Sequence, residues 1–430
     1  MNGGLPPLLH LYRGGLYVLE PAAAGLLAWR RRRGKEDGAR LAERRGVAGR
    51  ERPDGPLAWV HGASIGETLA ALPIVERLTQ AGLSVLVTSG TRAAAEVVAR
   101  RLPPGAFHQY VPLDLPRSVR RFLDHWRPDL ALFAESELWP NIILALERRG
   151  VPLVLVNGRL SERSVRRWRR LPEVARALVG RFALCLAQTP ADAERLRELG
   201  APAVAAIGNL KFDASPPPAD PLAVAHLQAA VAGRPVWVAA STHPGEDELV
   251  VAAHRALQDR FPGLLTIVAP RHARRGADIA ALAAEEGLLP ARRSQGAEPD
   301  RRTNLYVADT SGELGLFYRL SSLVLMGGSL VPHGGQNPIE PAKLGAAILH
   351  GPHVHNFADV YAAIDGAGGA LPVADGERLT RSLADLLPDT GLQREMARAG
   401  GAVVERLGGA VERTMRAVEP LVARAKGMRS

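Results

Sequence analysis

The chain has 430 residues, 47% of them hydrophobic, and carries 54 Lys and Arg against 44 Asp and Glu, a net charge of +10. That length exceeds what a single hydrophobic core supports, so two domains are expected, and the lone Cys185 excludes a disulfide framework or a cysteine-based zinc site. Excess positive charge suits an anionic partner, but the 5% aromatic content and the lack of any zinc-finger, KH or RRM pattern argue against nucleic acid, which is not expected as a partner.

In chain order, Leu5–Trp29 comes first, moderately apolar but interrupted by His10, Arg13 and Glu20 and running straight into Arg30–Arg33 and Lys35. It is marginal against the roughly 20 apolar residues a spanning helix needs, and no small-residue cleavage site follows it. Residues 1–35 are therefore expected to be a membrane-associated helix with a basic flank, lying on the bilayer or weakly spanning it, with the next domain on the cytoplasmic face. An ordinary amphipathic helix packed on the protein is the alternative.

From Leu57 the pattern alternates: LAWVHG reads as a strand, GETLAALPIVERLTQAG as a helix, LSVLVTSG as a strand and AAAEVVARRL as a helix. The strands DLALFAE, VPLVLVNGRL, ALCLAQT and AVAAIGN follow. Short apolar strands between helices predict a parallel sheet covered on both faces, a Rossmann-like domain over 36–207. GNLKFDASPPPADP, at 208–221, cannot continue a strand or helix through its three prolines and reads as a linker. The pattern restarts with VWVAAST, a helix over Asp247–Asp259, LLTIVAP, a helix near Ala277–Glu286, NLYVADT, SLVLMGG and AAILHG, giving a second Rossmann-like domain over 222–378. The remainder, 379–430, reads as helices that pack back on the first domain. The expected fold is α/β: two doubly wound domains facing across a cleft.

In such sheets ligands sit beyond the carboxyl ends of the strands, so the residues just after each strand are the candidates. After the first strand, HGASIGE brings Glu67 to a helix start, where by position alone it would only offset the helix dipole. ESELWPN follows a later strand; Glu135 and Glu137 share a face on an extended chain and could hold a cation. NGRLSERS leads into Arg166, Arg167, Arg169 and Arg170, either a solvated face or an anion cradle. Over Leu323–Phe357 a strand ends at Gly327-Gly328, a glycine-rich loop follows, and Asn337-Pro338 opens a helix that Gly345 closes. Strand, glycine loop and helix start make a natural phosphate site, although Asn337 and Glu340 also fit a capping box. His350, His353 and His355 have no acidic partner close in sequence and are read as a non-metal group.

The wording of these turns resembles one family. GGSLVPHGGQNPIEP is similar to the donor-site segment of the 3-deoxy-D-manno-octulosonic acid (Kdo) transferases of lipid A biosynthesis, two-domain GT-B glycosyltransferases that use CMP-Kdo. HGASIGE resembles the segment bearing that family's catalytic base, departing from it at Gly62 and Ile65, and ESELWPN resembles its second acidic motif. NGRLSERS and the turns holding Lys211, Ser241-Thr242-His243, Arg271-His272, Asp309-Thr310 and Gly312-Glu313-Leu314 are similar as well, so the likeness covers about residues 57 to 357. The resemblance implies Glu67 as general base and Glu135 as a supporting carboxylate. It implies donor binding by Lys211, Ser241, Thr242, His243, Arg271, His272, Gly312, Glu313, Leu314, Gly328, Ser329, Asn337 and Glu340. Acceptor binding would fall to Ser64, Gly66, Asn157, Arg159, Ser161 and Arg163. Further implied are an inverting transfer without metal or cofactor, a lipid A precursor as acceptor, a monomer, and an anionic inner-membrane surface as partner. A GT-B enzyme using a UDP-sugar, transferase or epimerase, is the alternative; the joint presence of the three acceptor-half motifs counts against it.

Overall fold

The computed structural model describes residues 4–427, in two compact units: residues 4–214 with 407–427, and residues 215–406. In the first unit the chain runs α1 (Pro7–Leu19), α2 (Ala23–Arg32), β1 (Leu57–Gly62), α3 (Ile65–Gln80), β2 (Ser84–Ser89), α4 (Arg92–Ala99), β3 (Ala106–Tyr110) and α5 (Pro116–Trp126). It continues through β4 (Leu130–Ala134), α6 (Pro140–Arg148), β5 (Leu153–Gly158), α7 (Glu162–Trp168), α8 (Pro172–Val179), β6 (Leu184–Ala187), α9 (Pro190–Glu198) and β7 (Val204–Ala206).

All seven strands are parallel, in the order β3-β2-β1-β4-β5-β6-β7. Alternation along each strand feeds two cores. Leu57 and Trp59 of β1 and Phe133 of β4 pack with Phe122 and Trp126 of α5 on one face, where Trp59 lies 4.7 Å from Phe122 and 4.9 Å from Phe133 between ring centroids. Ala58, Val60 and Leu132 face the opposite layer.

The second unit holds α10 (Pro221–Ala230), β8 (Val236–Thr242), α11 (Asp247–Leu257), β9 (Leu265–Pro270), α12 (Gly276–Glu285), β10 (Pro290–Arg292), β11 (Leu305–Val307), α13 (Leu314–Phe317) and β12 (Leu323–Met326). After these come α14 (Ile339–Lys343), β13 (Ala347–His350), α15 (Ala358–Gly366), β14 (Ala370–Pro372), α16 (Gly376–Leu386) and α17 (Thr390–Arg406). Its seven parallel strands are ordered β10-β11-β9-β8-β12-β13-β14. The chain then re-enters the first unit as α18 (Ala410–Gly427), whose Val411, Val418 and Val422 complete the core on the Val60 face. Asp213 fixes that return by accepting the N–H groups of Gly409 (2.5 Å) and Val411 (2.6 Å).

These boundaries differ from those drawn on the sequence. The second unit extends to Arg406, because Leu379 and Leu383 of α16 and Met396 of α17 join its core; only α18 packs on the first unit. Residues 5–29 are two helices, not one: a 3-10 turn over Glu20–Ala22, with Pro21 inside it, separates α1 from α2. Among the described residues, no helix is long and apolar enough to cross a membrane. Leu9 and Leu27 are buried, whereas Leu11, Val18, Leu19, Leu26 and Trp29 are exposed.

Candidate functional site

In each unit the strand order reverses direction beside the first strand, and ligands of doubly wound sheets collect at that switch point. In the first unit it lies between β1 and β4, so the turns after these strands, carrying Glu67 and Glu135, meet there. In the second it lies between β8 and β12, joining the turn at Ser241–His243 to the one at Gly327–Ser329.

Glu67 stands in the first turn of α3. Ser64 caps that helix, accepting the Glu67 N–H (3.3 Å) and donating its hydroxyl to Glu67 Oε1 (2.7 Å), while the Ala63 N–H donates to Oε2 (2.8 Å). The carboxylate is thus both part of the cap and held in one orientation. Burial raises its pKa above the ordinary 4.5, and the charges of Glu135 and Glu137 push the same way, against the lowering hydrogen bonds from Ser64 and Ala63. A carboxylate made more basic by its surroundings suits a general base. Gly66 has open space beside it.

Glu135 follows β4 with φ 57°, a left-handed backbone that disfavours any side chain by about 1–2 kcal/mol. It accepts a 2.8 Å hydrogen bond from Lys211 Nζ. Lys211, expected on the donor side, therefore belongs to the first unit's carboxylate cluster. Its 3-10 turn is held by Asn209 Oδ1 accepting its own N–H (3.0 Å) and by Asn157 Oδ1 accepting the Leu210 N–H (3.0 Å). Asn157, φ 54° and buried, thus holds that turn through its Oδ1.

From sequence His61 had no role of its own, and Glu137 was read only as one of a pair with Glu135 that could hold a cation. His61 is fully buried, its Nδ1 2.9 Å from Thr88 Oγ1 and its Nε2 3.5 Å from Glu137 Oε2, an ion-pair distance rather than a hydrogen bond. Burial alone would raise the Glu137 pKa, but His61 and the Trp139 indole N–H (2.6 Å) bring it below the ordinary 4.5. Alternation of strand residues could have flagged His61, since a polar side chain at an inward position of β1 needs a partner. Farther along, Ser161 caps α7 by accepting the Ser164 N–H (3.2 Å), the structural reading of its position, and Arg159 and Arg163 are exposed.

In the second unit Ser241 is left-handed (φ 59°) where the β8–β9 register shifts, and this turns His243 out of the strand line. The His243 ring lies 3.7 Å from that of His333 and 6.4 Å from that of His272, and its Nε2 is 3.1 Å from Gln336 Nε2. Burial pushes the His243 pKa down to about 4, and positive neighbours His333, His272, Arg271 and Arg275 add to the shift. His272 is lowered by burial and then by Arg271, Arg274 and His333. The lowered pKa values favour neutral His243 and His272, and the lasting positive charge beside them is that of Arg271 and Arg274, which an anion would offset. Thr242 is buried and donates to Asp247 Oδ1 (2.7 Å), a structural role.

Several residues expected at the donor site have hydrogen-bond partners within the second unit. The Arg293 guanidinium holds both oxygens of Glu313 (2.7 and 3.2 Å), fixing the turn at Gly312 and the start of α13 at Leu314. Ser329 is fully buried, donating to the Met326 carbonyl and accepting the Gly351 N–H (2.7 Å). The N–H groups of Gly328 and Ser329, read from sequence as open to a phosphate, both donate to Glu246. The helix expected to open at Asn337-Pro338 starts instead at Ile339 and has five residues; Asn337 Oδ1 accepts the Ile339 N–H (3.1 Å) and its Nδ2 donates to Glu340 Oε1 (3.3 Å). So short a helix contributes little dipole. His350 does have an acidic partner, Asp365 Oδ1 at 3.0 Å. Among the described residues no group of three or more His, Cys, Asp or Glu could hold a metal ion.

The chain is similar to known proteins over nearly its whole length. Residues 39–214 match the profile of the family described as 3-deoxy-D-manno-octulosonic-acid transferase (kdotransferase). A 3-deoxy-D-manno-octulosonic acid transferase from Haemophilus influenzae is 35% identical over 396 residues, 90% of this chain and 92% of that one. The Bordetella pertussis enzyme of the same name is 36% identical over 423 residues, 94% and 98% of the two chains. Among solved structures, a glycosyltransferase from Rickettsia africae (TM-score 0.58, 11% identity, 86% of this chain and 99% of that one) shares the fold. So does the UDP-GlcNAc 2-epimerase of Neisseria meningitidis (TM-score 0.56, 14% identity, 85% and 100%). These two likenesses identify two Rossmann-like units of the GT-B type and nothing of specificity. Identity above 30% across nine-tenths of both chains settles what fold alone leaves open: the chain belongs to the family of 3-deoxy-D-manno-octulosonic acid transferases.

Proposed function

We propose that the protein moves Kdo from CMP-Kdo to a hydroxyl of the phosphorylated, acylated disaccharide precursor of lipid A, with inversion at the anomeric carbon and without a metal. The observation that carries the mechanism is Glu67 at the first unit's switch point, with a raised pKa and both oxygens oriented. The acceptor oxygen attacks the anomeric carbon as its proton passes to Glu67, which must come within about 3 Å of it. The bond from the anomeric carbon to the phosphate oxygen breaks, and its electron pair leaves with CMP. The Lys211 ammonium pairs with the Glu135 carboxylate beside the base. His243, His272, His333 and Arg271 in the second unit are suited to the donor's phosphate and carboxylate. Exposed Leu11, Val18, Leu19, Leu26 and Trp29 beside Arg30–Arg33 support first helices that rest on the anionic cytoplasmic face of the inner membrane. The test is incubation with CMP-Kdo and lipid A precursor in the presence of a chelator, followed by mass spectrometry of the lipid. A product heavier by one or more Kdo units supports the reading; unchanged lipid refutes it.

A further inference from the structure

The turn after β12 is built around a charge that belongs to the protein. Glu246, fully buried, lies just before α11, and its carboxylate accepts four backbone N–H groups. Those of His243 (2.9 Å) and Gly328 (2.6 Å) donate to Oε2; those of Ser329 (3.0 Å) and Leu330 (2.9 Å) donate to Oε1. Successive amides converging on one point form an anion nest, here filled from within. The fit depends on two glycines: a Cβ on Gly327 would stand 2.4 Å from the Ser241 carbonyl oxygen, and Gly328 has φ 68°. The same carboxylate ties the turn after β8, through His243, to the turn after β12, through residues 328–330.

We propose that Glu246 is a positioning residue that takes the place of a bound anion, locking the two switch-point turns of the second unit so that His243 and Gln336 are fixed before the donor arrives. The inference rests on reading this unit as the donor site. Its corollary is that the amides of Gly328–Leu330 do not bind the donor's phosphate, which meets side chains instead.

The experiment compares Glu246→Ala, Glu246→Gln and the unaltered protein with and without formate, a carboxylate small enough for the vacated nest, using chloride at equal ionic strength as control. Thermal midpoint and the kinetic constants for each substrate are measured. Glu246→Ala is expected to lose about tenfold or more in kcat/KM for the donor, seen as a raised donor KM with the acceptor KM unchanged, and formate is expected to recover both midpoint and donor KM. Glu246→Gln fills the cavity but turns an NH2 toward N–H donors, so it should show the loss without rescue. The proposal is overturned if either variant keeps donor kcat/KM within about threefold of the unaltered protein, or if formate restores the midpoint and leaves donor KM unimproved. If Glu246→Ala does not fold, the donor KM of Glu246→Gln decides. Should the unaltered protein transfer no Kdo, the functional reading fails by itself, while formate-dependent stabilisation of Glu246→Ala still reports on the nest.

Discussion

At the scale of single residues, the chemistry concentrates on carboxylates whose environments differ. The Glu67 pKa is raised, so its basic form is available only above the ordinary glutamate range, and the acid limb of kcat/KM against pH should lie above 4.5. Glu137→Gln removes one of the charges that raise it and should move that limb to lower pH, a shift read from the pH–rate profile. Lys211 and Glu135 act as a unit: Lys211→Met and Glu135→Gln should each reduce transfer, and the double variant should be no worse than the poorer single one, as a double-variant cycle would reveal. Asp114 gives a stability prediction. Burial raises its pKa from 3.8 to about 6, against hydrogen bonds from Asn141, Ile142 and Tyr12. A raised folded-state pKa contributes stability that is complete below 3.8 and lost as pH rises through about 6, up to roughly 3 kcal/mol from a shift of that size. Urea titrations across that window should show the slope, and Asp114→Asn should flatten it. Position alone gave Glu67 only a dipole-offsetting place at a helix start, and it was the HGASIGE wording that made it legible as a base. Sequence could not show that the Ser329 and Thr242 hydroxyls are spent on internal hydrogen bonds, since residue type does not say which atoms are already satisfied.

At the scale of elements, what could be read depended on apolar periodicity. β1, β2, β4 and β5 are short runs of mostly apolar, buried residues and are legible from sequence. β3 was missed because its residues, Ala106-Phe107-His108-Gln109-Tyr110, have no such run. It is an edge strand whose outward groups are taken by side chains: Arg40 donates to the His108 carbonyl (3.0 Å) and Glu43 accepts the Tyr110 N–H (2.7 Å). The first two helices illustrate the opposite case. Their apolar content was visible, but the break at Glu20-Pro21 reduces a candidate span to two short helices with outward-facing Val18 and Leu19. If these lie on a bilayer, Val18→Glu with Leu19→Glu should release the protein from anionic vesicles in a flotation assay while transfer to detergent-dispersed acceptor persists. Equal vesicle binding by the double variant would refute that placement.

At the scale of the whole molecule, the doubled architecture was legible because strand and helix patterns stop at the prolines of 216–218 and begin again. The return of the chain to the first unit was legible too, but its starting point was not: α16, α17 and α18 look alike as amphipathic helices, and only packing assigns the first two to one core and α18 to the other. Two units with separate switch points imply separable functions, so CMP should raise the thermal midpoint and UDP should not, and Glu67→Gln should leave the CMP effect intact. The most direct measurement is the rate of Kdo transfer by Glu67→Gln beside its affinity for CMP. Loss of about 100-fold or more in kcat with CMP affinity unchanged is the result required of a general base. Transfer within about threefold of the unaltered protein would contradict it and move the base elsewhere.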